Sequence, residues 1–215
     1  MDIQGIIVTI AIYAIPAVFA ITLHEAGHAY AAMYFGDKTA WMLGRTSLNP
    51  AKHIDPIGTV VVPILTAFTG FLFGWAKPVP VNFENLRDPK RDMLWVAAAG
   101  PAANLAMALA WVLVAKALLA TGGSGIAFEF WIRVADAGIK VNVGLAVLNL
   151  FPLLPLDGGR ILVSVLPGRL AWQYSRLEPF GMPILIILIV SGALWWMLGP
   201  VMGALLKNLY SLVGF

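Results

Sequence analysis

Two histidines four positions apart, with a glutamate beside the first, form the stretch His24-Glu25-Ala26-Gly27-His28. An α-helix turns once every 3.6 residues, so side chains at i and i+4 leave one face about a turn apart. Two imidazoles placed in this way can share one Zn²⁺, and the intervening Glu25 lies close enough to take a proton from water at the metal. That is hydrolytic chemistry. A zinc ion that keeps a position open for water takes three protein ligands, so one more donor must come from elsewhere. The chain has no cysteine, which excludes thiolate ligands, iron–sulfur clusters and disulfides, and leaves His, Asp and Glu. The only other histidine is His53. Among the carboxylates Asp157 stands out, because it closes the apolar stretch from Asn149 to Gly159, Asn-Leu-Phe-Pro-Leu-Leu-Pro-Leu-Asp-Gly-Gly. Asp-Gly is also good turn chemistry, and position alone leaves both readings open.

The elements that must hold these residues are apolar. Of the 215 residues 60% are hydrophobic and 12% charged, about half the charge of a soluble domain, and the mean hydropathy is +0.84. Runs at 3–23, 57–76, 93–121, 141–156 and 183–206 are long enough to cross, or dip deeply into, a hydrocarbon core that takes roughly 20 helical residues. The sequence therefore predicts an all-α polytopic membrane protein. The first run lacks a basic leading segment and flows directly into His24, so it reads as a retained helix and not as a cleaved signal. Ionisable residues within such a helix are costly and are functional by default. The net charge of +3 and pI near 9.3 reflect cations in loops beside apolar runs, where they mark orientation, and nucleic acid is not an expected partner. The polar stretches 36–56 and 77–92 are too short to build a core of their own, so one domain over residues 1–215 is expected.

Topology turns on the run 57–76. If it crosses the bilayer, Lys38, Arg45 and Lys52 fall opposite Lys77, Arg87, Lys90, Arg91, Arg160, Arg169 and Arg176, and the positive-inside bias vanishes. If it dips in and returns, helped by Pro63, Gly70 and Gly74, all ten share one face and Lys116, Arg133, Lys140 and Lys207 take the other. The expectation is thus about four full spans plus a re-entrant segment, or five or six if that segment or the C-terminal run is counted differently. Rough alternation over Trp41–Pro50 and the prolines of Lys77–Asn82 predict two extended pieces that could pair as a small β element near the site. Prolines 152 and 155 predict an extended stretch over 151–156, to which a substrate strand could add.

His24-Glu25-x-x-His28 followed by N-x-x-P-x-x-P-L-D-G-G from Asn149 to Gly159 resembles the site-2 protease family of intramembrane zinc metalloproteases. Further stretches, Gly44–Pro50, His53–Pro56, Gly74–Asn82 and Ala99–Asn104, resemble a compact prokaryotic branch without PDZ or CBS domains, and the similarity runs from about residue 15 to 181. The resemblance implies one Zn²⁺ per chain held by His24, His28 and Asp157, with Glu25 as general base and Asn149 on the substrate backbone. It implies transmembrane protein substrates and a multi-pass protein of a prokaryotic cell membrane with its site toward the cytoplasm. His53 is a secondary candidate as a gate or resting-state ligand, and Asn104 one for a hydrogen bond between helices. The rival readings are a catalytically silent zinc-binding membrane protein and a metal or proton transporter.

Overall fold

The computed structural model describes residues 3–53, 55–61 and 77–214. Helix α1 (Ile3–Phe35) is followed by the single helical turn α2 (Thr39–Met42), and after short turns at Pro50–Lys52, Pro56–Val61 and Phe83–Asn85 come α3 (Pro89–Ala120) and α4 (Ile126–Asn149). Helices α5 (Asp157–Val165), α6 (Gly168–Ser175), α7 (Glu178–Val190) and α8 (Ala193–Val213) complete the chain. There is no strand among the described residues.

Helix α3 begins where sequence chemistry says it should: Asp88 accepts a bond from the Arg91 N–H at 3.3 Å, and Pro89, which has no N–H to lose, opens the first turn. Its neighbours run antiparallel to it. His28 of α1 meets Val96 and His24 meets Asn104, while Asn104 meets Asn142 of α4, and Gly138 faces Trp111. Helices α1 and α4 therefore point the same way, each packed on α3 and on each other where Ile12 meets Val134 and Ala137, and α8 runs back along α4, with Tyr210 bonded to Asp136. The helices approach closely because their contact faces are small. Ala20, Ala29 and Ala32 of α1, Ala108 of α3 and Ala135, Ala137 and Ala146 of α4 are fully buried. Large apolar residues lie instead on the outside, among them Ile7, Phe19, Leu113, Ile187 and Val190, as expected for a bundle bathed in lipid.

Among the described residues two helical stretches, Ile7–Phe35 and Pro89–Ala120, are long and apolar enough to cross a membrane, and α7 with α8 makes a third if a bent pair counts as one span. That pair bends by 79° at Ser191–Gly192, where Gly192 takes φ +75, a conformation that favours glycine. The expected run 141–156 is only the second half of α4 plus a loop. The helix starts at Ile126 and carries Glu129, Arg133, Asp136 and Lys140, which hides its 24-residue length from a hydropathy reading. At 1.5 Å per residue it is about 36 Å long. Two of these charges pair locally: Asp136 accepts from Lys140 at 2.7 Å, and also from the Tyr210 hydroxyl at 2.5 Å.

The two expected extended pieces do not pair. Trp41–Pro50 is not a strand, because Asp37 Oδ1 accepts from the Thr39 N–H at 3.0 Å and starts the turn that becomes α2. Residues 77–82 have no regular secondary structure and are pinned by single bonds to separate parts of the molecule. Most of the run 57–76 lies outside the described residues. Its flanks, however, adjoin: the Lys77 N–H donates to the His53 carbonyl at 3.0 Å.

Candidate metal centre

The C-terminal half of α1 carries His24 and His28 on one face, as their spacing dictates, and α5 begins with Asp157 opposite them. The two Nε2 atoms are 3.1 Å apart. Asp157 Oδ2 lies 3.3 Å from His24 Nε2, and Oδ1 lies 3.3 Å from His28 Nε2. The three side chains are 10%, 12% and 13% exposed, so the cluster is sheltered but not sealed. Among the described residues this is the one group of three or more potential metal donors.

The far side of each ring decides what the near side offers. His28 Nδ1 is 2.8 Å from the Val96 carbonyl and His24 Nδ1 is 2.6 Å from Asn104 Oδ1. Both partners are acceptors, so both Nδ1 atoms carry the proton and donate it, and both Nε2 atoms of the neutral rings present bare lone pairs. Two lone pairs and a carboxylate thus converge with no hydrogen between them, and buried Asp157 Oδ2 has no hydrogen-bond partner. Acceptors this close repel unless a cation joins them. The residues present fit a divalent zinc: two imidazole nitrogens and one carboxylate are the donor types it takes while keeping a position for water.

Space for the rings comes from α3. A Cβ placed on Gly100 would lie 2.4 Å from His28 Nε2 and 2.6 Å from His24 Cε1, so only glycine lets this helix back the two histidines. Behind Asp157, a Cβ on Gly158 would lie 2.2 Å from the Leu150 carbonyl, because the loop leaving α4 folds directly against the first turn of α5.

Glu25 is held from another quarter. The Val79 N–H donates to Glu25 Oε2 at 2.6 Å, so the segment around residue 79 lies over the carboxylate next to the cluster. That segment is itself clipped to the end of α1 by Asp37, a fully buried residue that sequence reasoning missed. Asp37 Oδ2 accepts from the Asn82 N–H at 2.8 Å, and Oδ1 from Thr39 and from Asn85 Nδ2. Burial on its own would raise the pKa of this carboxyl, but the donors of Thr39, Asn82 and Asn85 outweigh it and hold the group below the usual carboxylate range. The signal available in the sequence was Gly36-Asp37 at the end of the motif helix, which reads there as an ordinary turn.

The remaining candidates divide. His53 is not part of the donor group: its ring is buried, Nε2 donates to the Ser47 carbonyl at 2.8 Å, and Nδ1 has no partner among the described residues. Nearby Asp55 accepts from the N–H groups of Ile57 and Gly58. Asn149 sits on the last turn of α4, where its Nδ2 donates to Leu145 O at 3.0 Å. The stretch 151–156 is not extended. It folds into consecutive turns, with Leu153 N–H bonded to Phe151 O and Leu156 N–H to Leu153 O. The prolines forbid helix there but do not enforce a strand, and the carbonyl of Pro152 is already occupied by the Tyr174 hydroxyl at 2.9 Å. Asn104 lies directly against the cluster, and it brings in Asn142, which sequence reasoning passed over.

The described residues thus form a helical bundle with two apolar, membrane-length helices and a His-His-Asp donor set, beside a glutamate, that could hold a metal ion. No family model matches the chain, and no solved structure does. Curated relatives do. The chain is 34% identical over 206 residues to "Putative zinc metalloprotease YwhC" of Bacillus subtilis, a match covering 90% of this chain and 88% of that protein. It is 31% identical over 174 residues to "Putative zinc metalloprotease Rip2" of Mycolicibacterium smegmatis, covering 80% of this chain and 64% of that one. The protein of the same name from Mycobacterium tuberculosis is 28% identical over 180 residues, with 83% of this chain and 67% of that one covered. The chain belongs to this family of zinc metalloproteases.

Proposed function

We propose that the protein is an intramembrane zinc endopeptidase of the site-2 protease type, a single domain over residues 1–215 that hydrolyses peptide bonds in or near transmembrane segments of other membrane proteins. The observation that carries this reading is the convergence of His24, His28 and Asp157 within reach of one ion, next to Glu25, on helices of which α1 and α3 have the length and apolarity of membrane spans. A zinc ion held by those three residues supplies Lewis acidity, polarising a peptide carbonyl and lowering the pKa of water.

The chain's own residues do the rest. Glu25 takes the proton from the attacking water and returns it to the leaving amine, a transfer that needs its carboxylate held in one place. The Val79 N–H does that holding at Oε2 and leaves Oε1 for the proton. Asn149, at the end of α4 on the side of Asp157, orients the substrate backbone. Pro152 and Pro155 shape the turn between them. The antiparallel order of α1, α3 and α4, with α7 and α8 as one broken span, gives four crossings, and the adjoining His53 and Lys77 favour a segment between them that returns to the side it left. The site then lies toward the face that carries ten of the fourteen Lys and Arg residues, the cytoplasmic face of a prokaryotic cell membrane.

The test is cleavage of a panel of single-span membrane proteins by the purified protein in lipid, with zinc analysis alongside. About one zinc per chain is expected, together with cleavage that a chelator stops and added zinc restores. Wild-type zinc content persisting in a His24→Ala, His28→Ala double variant rejects the site, and zinc without cleavage of any substrate favours a silent metal-binding protein.

A further inference from the structure

We propose that Asn104, held in place by Asn142, is a positioning residue that fixes the tautomer of His24 and so presents a bare Nε2 to the metal. The inference rests on the metal-centre reading above and adds to it a polar chain that crosses three helices. It starts on α4, where Asn142 Nδ2 donates to the Gly138 carbonyl at 2.9 Å. A main-chain carbonyl can only accept, so the orientation of the Asn142 amide is set and its Oδ1 faces α3. There it accepts from Asn104 Nδ2 at 3.0 Å. The same Nδ2 donates to the Ala20 carbonyl of α1 at 3.1 Å, so two acceptors agree on which end of the Asn104 amide carries hydrogen. Its Oδ1 is left facing His24 Nδ1 at 2.6 Å.

Turning the Asn104 amide over would set its oxygen against the Ala20 carbonyl and Asn142 Oδ1, losing two bonds and creating two acceptor contacts. Both asparagines are fully buried, so no water can relieve that arrangement. His24 must then donate from Nδ1, and its lone pair must sit on Nε2, the atom 3.1 Å from His28 Nε2. His28 gets the same result from a backbone carbonyl, that of Val96, which no substitution can change chemically. His24 has it from two side chains, and so this half of the metal centre can be broken by mutation. Partners of this kind that orient a ligating histidine change metal affinity by about 10- to 100-fold when removed.

A purely structural role, asparagines that hold helices together, would leave the ring tautomer untouched. The experiment uses the full chain in lipid nanodiscs, stripped of metal and labelled with ¹⁵N at the histidine rings. Three histidines make the spectrum assignable, and His53, whose Nε2 donates to Ser47 O, is the opposite-tautomer reference. Wild type should show His24 and His28 protonated at Nδ1. In Asn104→Leu, His24 alone should lose that fixed tautomer, and zinc affinity measured against a competing chelator should fall about 10- to 100-fold. Asn104→Asp keeps an acceptor toward His24 while setting its second oxygen against the Ala20 carbonyl and Asn142 Oδ1, so the Nδ1 tautomer should persist and affinity should recover in part. Asn142→Leu, which removes one of the two anchors, should fall between. If Asn104→Leu does not fold, the wild-type tautomer and Asn142→Leu decide. His24 protonated at Nε2 in the wild type, or zinc affinity unchanged in the leucine variants, overturns the proposal. A wild type that takes up no zinc overturns the metal centre itself, which is a different result.

Discussion

The Val79 N–H donates to Glu25 Oε2 at 2.6 Å, joining two residues 54 positions apart at the edge of the metal centre. A hydrogen bond to a charged group contributes about 1.5 to 3 kcal/mol, enough to keep one carboxylate oxygen in register with the cluster while the other exchanges protons.

Glu25→Gln should lower peptide hydrolysis by about 10²- to 10⁴-fold, the range that general acid–base catalysis contributes. The glutamine carbonyl can still accept from Val79, and none of the three donor residues is touched, so zinc content should match wild type. Single-turnover cleavage and elemental analysis on one preparation check both halves. Appreciable turnover in the variant would move the base elsewhere.

Gly100→Ala tests the backing of the histidines. The added Cβ would fall 2.4 Å from His28 Nε2, so the rings must shift by several tenths of an ångström or more. Misplacement of reacting groups by 1 Å can cost about 10²-fold in rate. The expected result is lower zinc affinity and activity in a protein whose circular dichroism is unchanged; a variant with native affinity would mean that α3 yields instead of the rings.

Lys52→Cys and Lys77→Cys should react with an impermeant thiol reagent from the same side of the membrane as Arg160→Cys and Arg176→Cys. Both lysines are exposed; Lys52 precedes His53, whose carbonyl accepts from the Lys77 N–H. The chain has no native cysteine, so the labels need no correction. Labelling of the first two from opposite faces would show that the segment between them crosses.

Asp37 ties acid stability to the segment that carries Val79. Its folded-state pKa is depressed, so its contribution is fully present above the unfolded value of about 3.9 and is lost as pH falls through the lower folded one. Thermal stability of wild type should exceed that of Asp37→Ala at neutral pH, and the gap should narrow only below about pH 4. A gap independent of pH down to the acid limit would mean that charge has no part in the clip.

The pair His24 and His28 was legible because helical spacing converts directly into shared geometry, and Glu25 follows from its place between them. Asp157 was not legible in that way. An Asp-Gly after an apolar run reads equally as a turn, and only the family resemblance singled it out before the fold brought it opposite α1. Asn142 escaped for a physical reason: a single asparagine in an apolar run carries no spacing signature, and its meaning depends on Asn104 arriving from another helix. The misreading of Trp41–Pro50 as a strand came from counting alternation where the Asp37 side chain had already committed the backbone to a turn. Helix α4 was cut short because its charges lowered the local hydropathy, although Lys140 pairs with Asp136 and the Tyr210 hydroxyl donates to it.

His24, Glu25 and His28 belong to the first helix and Asp157 to the fifth, so they leave the ribosome far apart in time. The nascent α1 carries two imidazoles and one carboxyl for which Val79 has not yet been made, and nothing yet completes a three-donor cage. Only when α3 and α4 have inserted, and the turn after Asn149 has folded back, does the carboxylate reach the histidines. On the proposed reading, hydrolytic competence is thereby deferred until Asp157 has been made, and a copy synthesised only as far as α4 holds two histidines and a glutamate without the third donor.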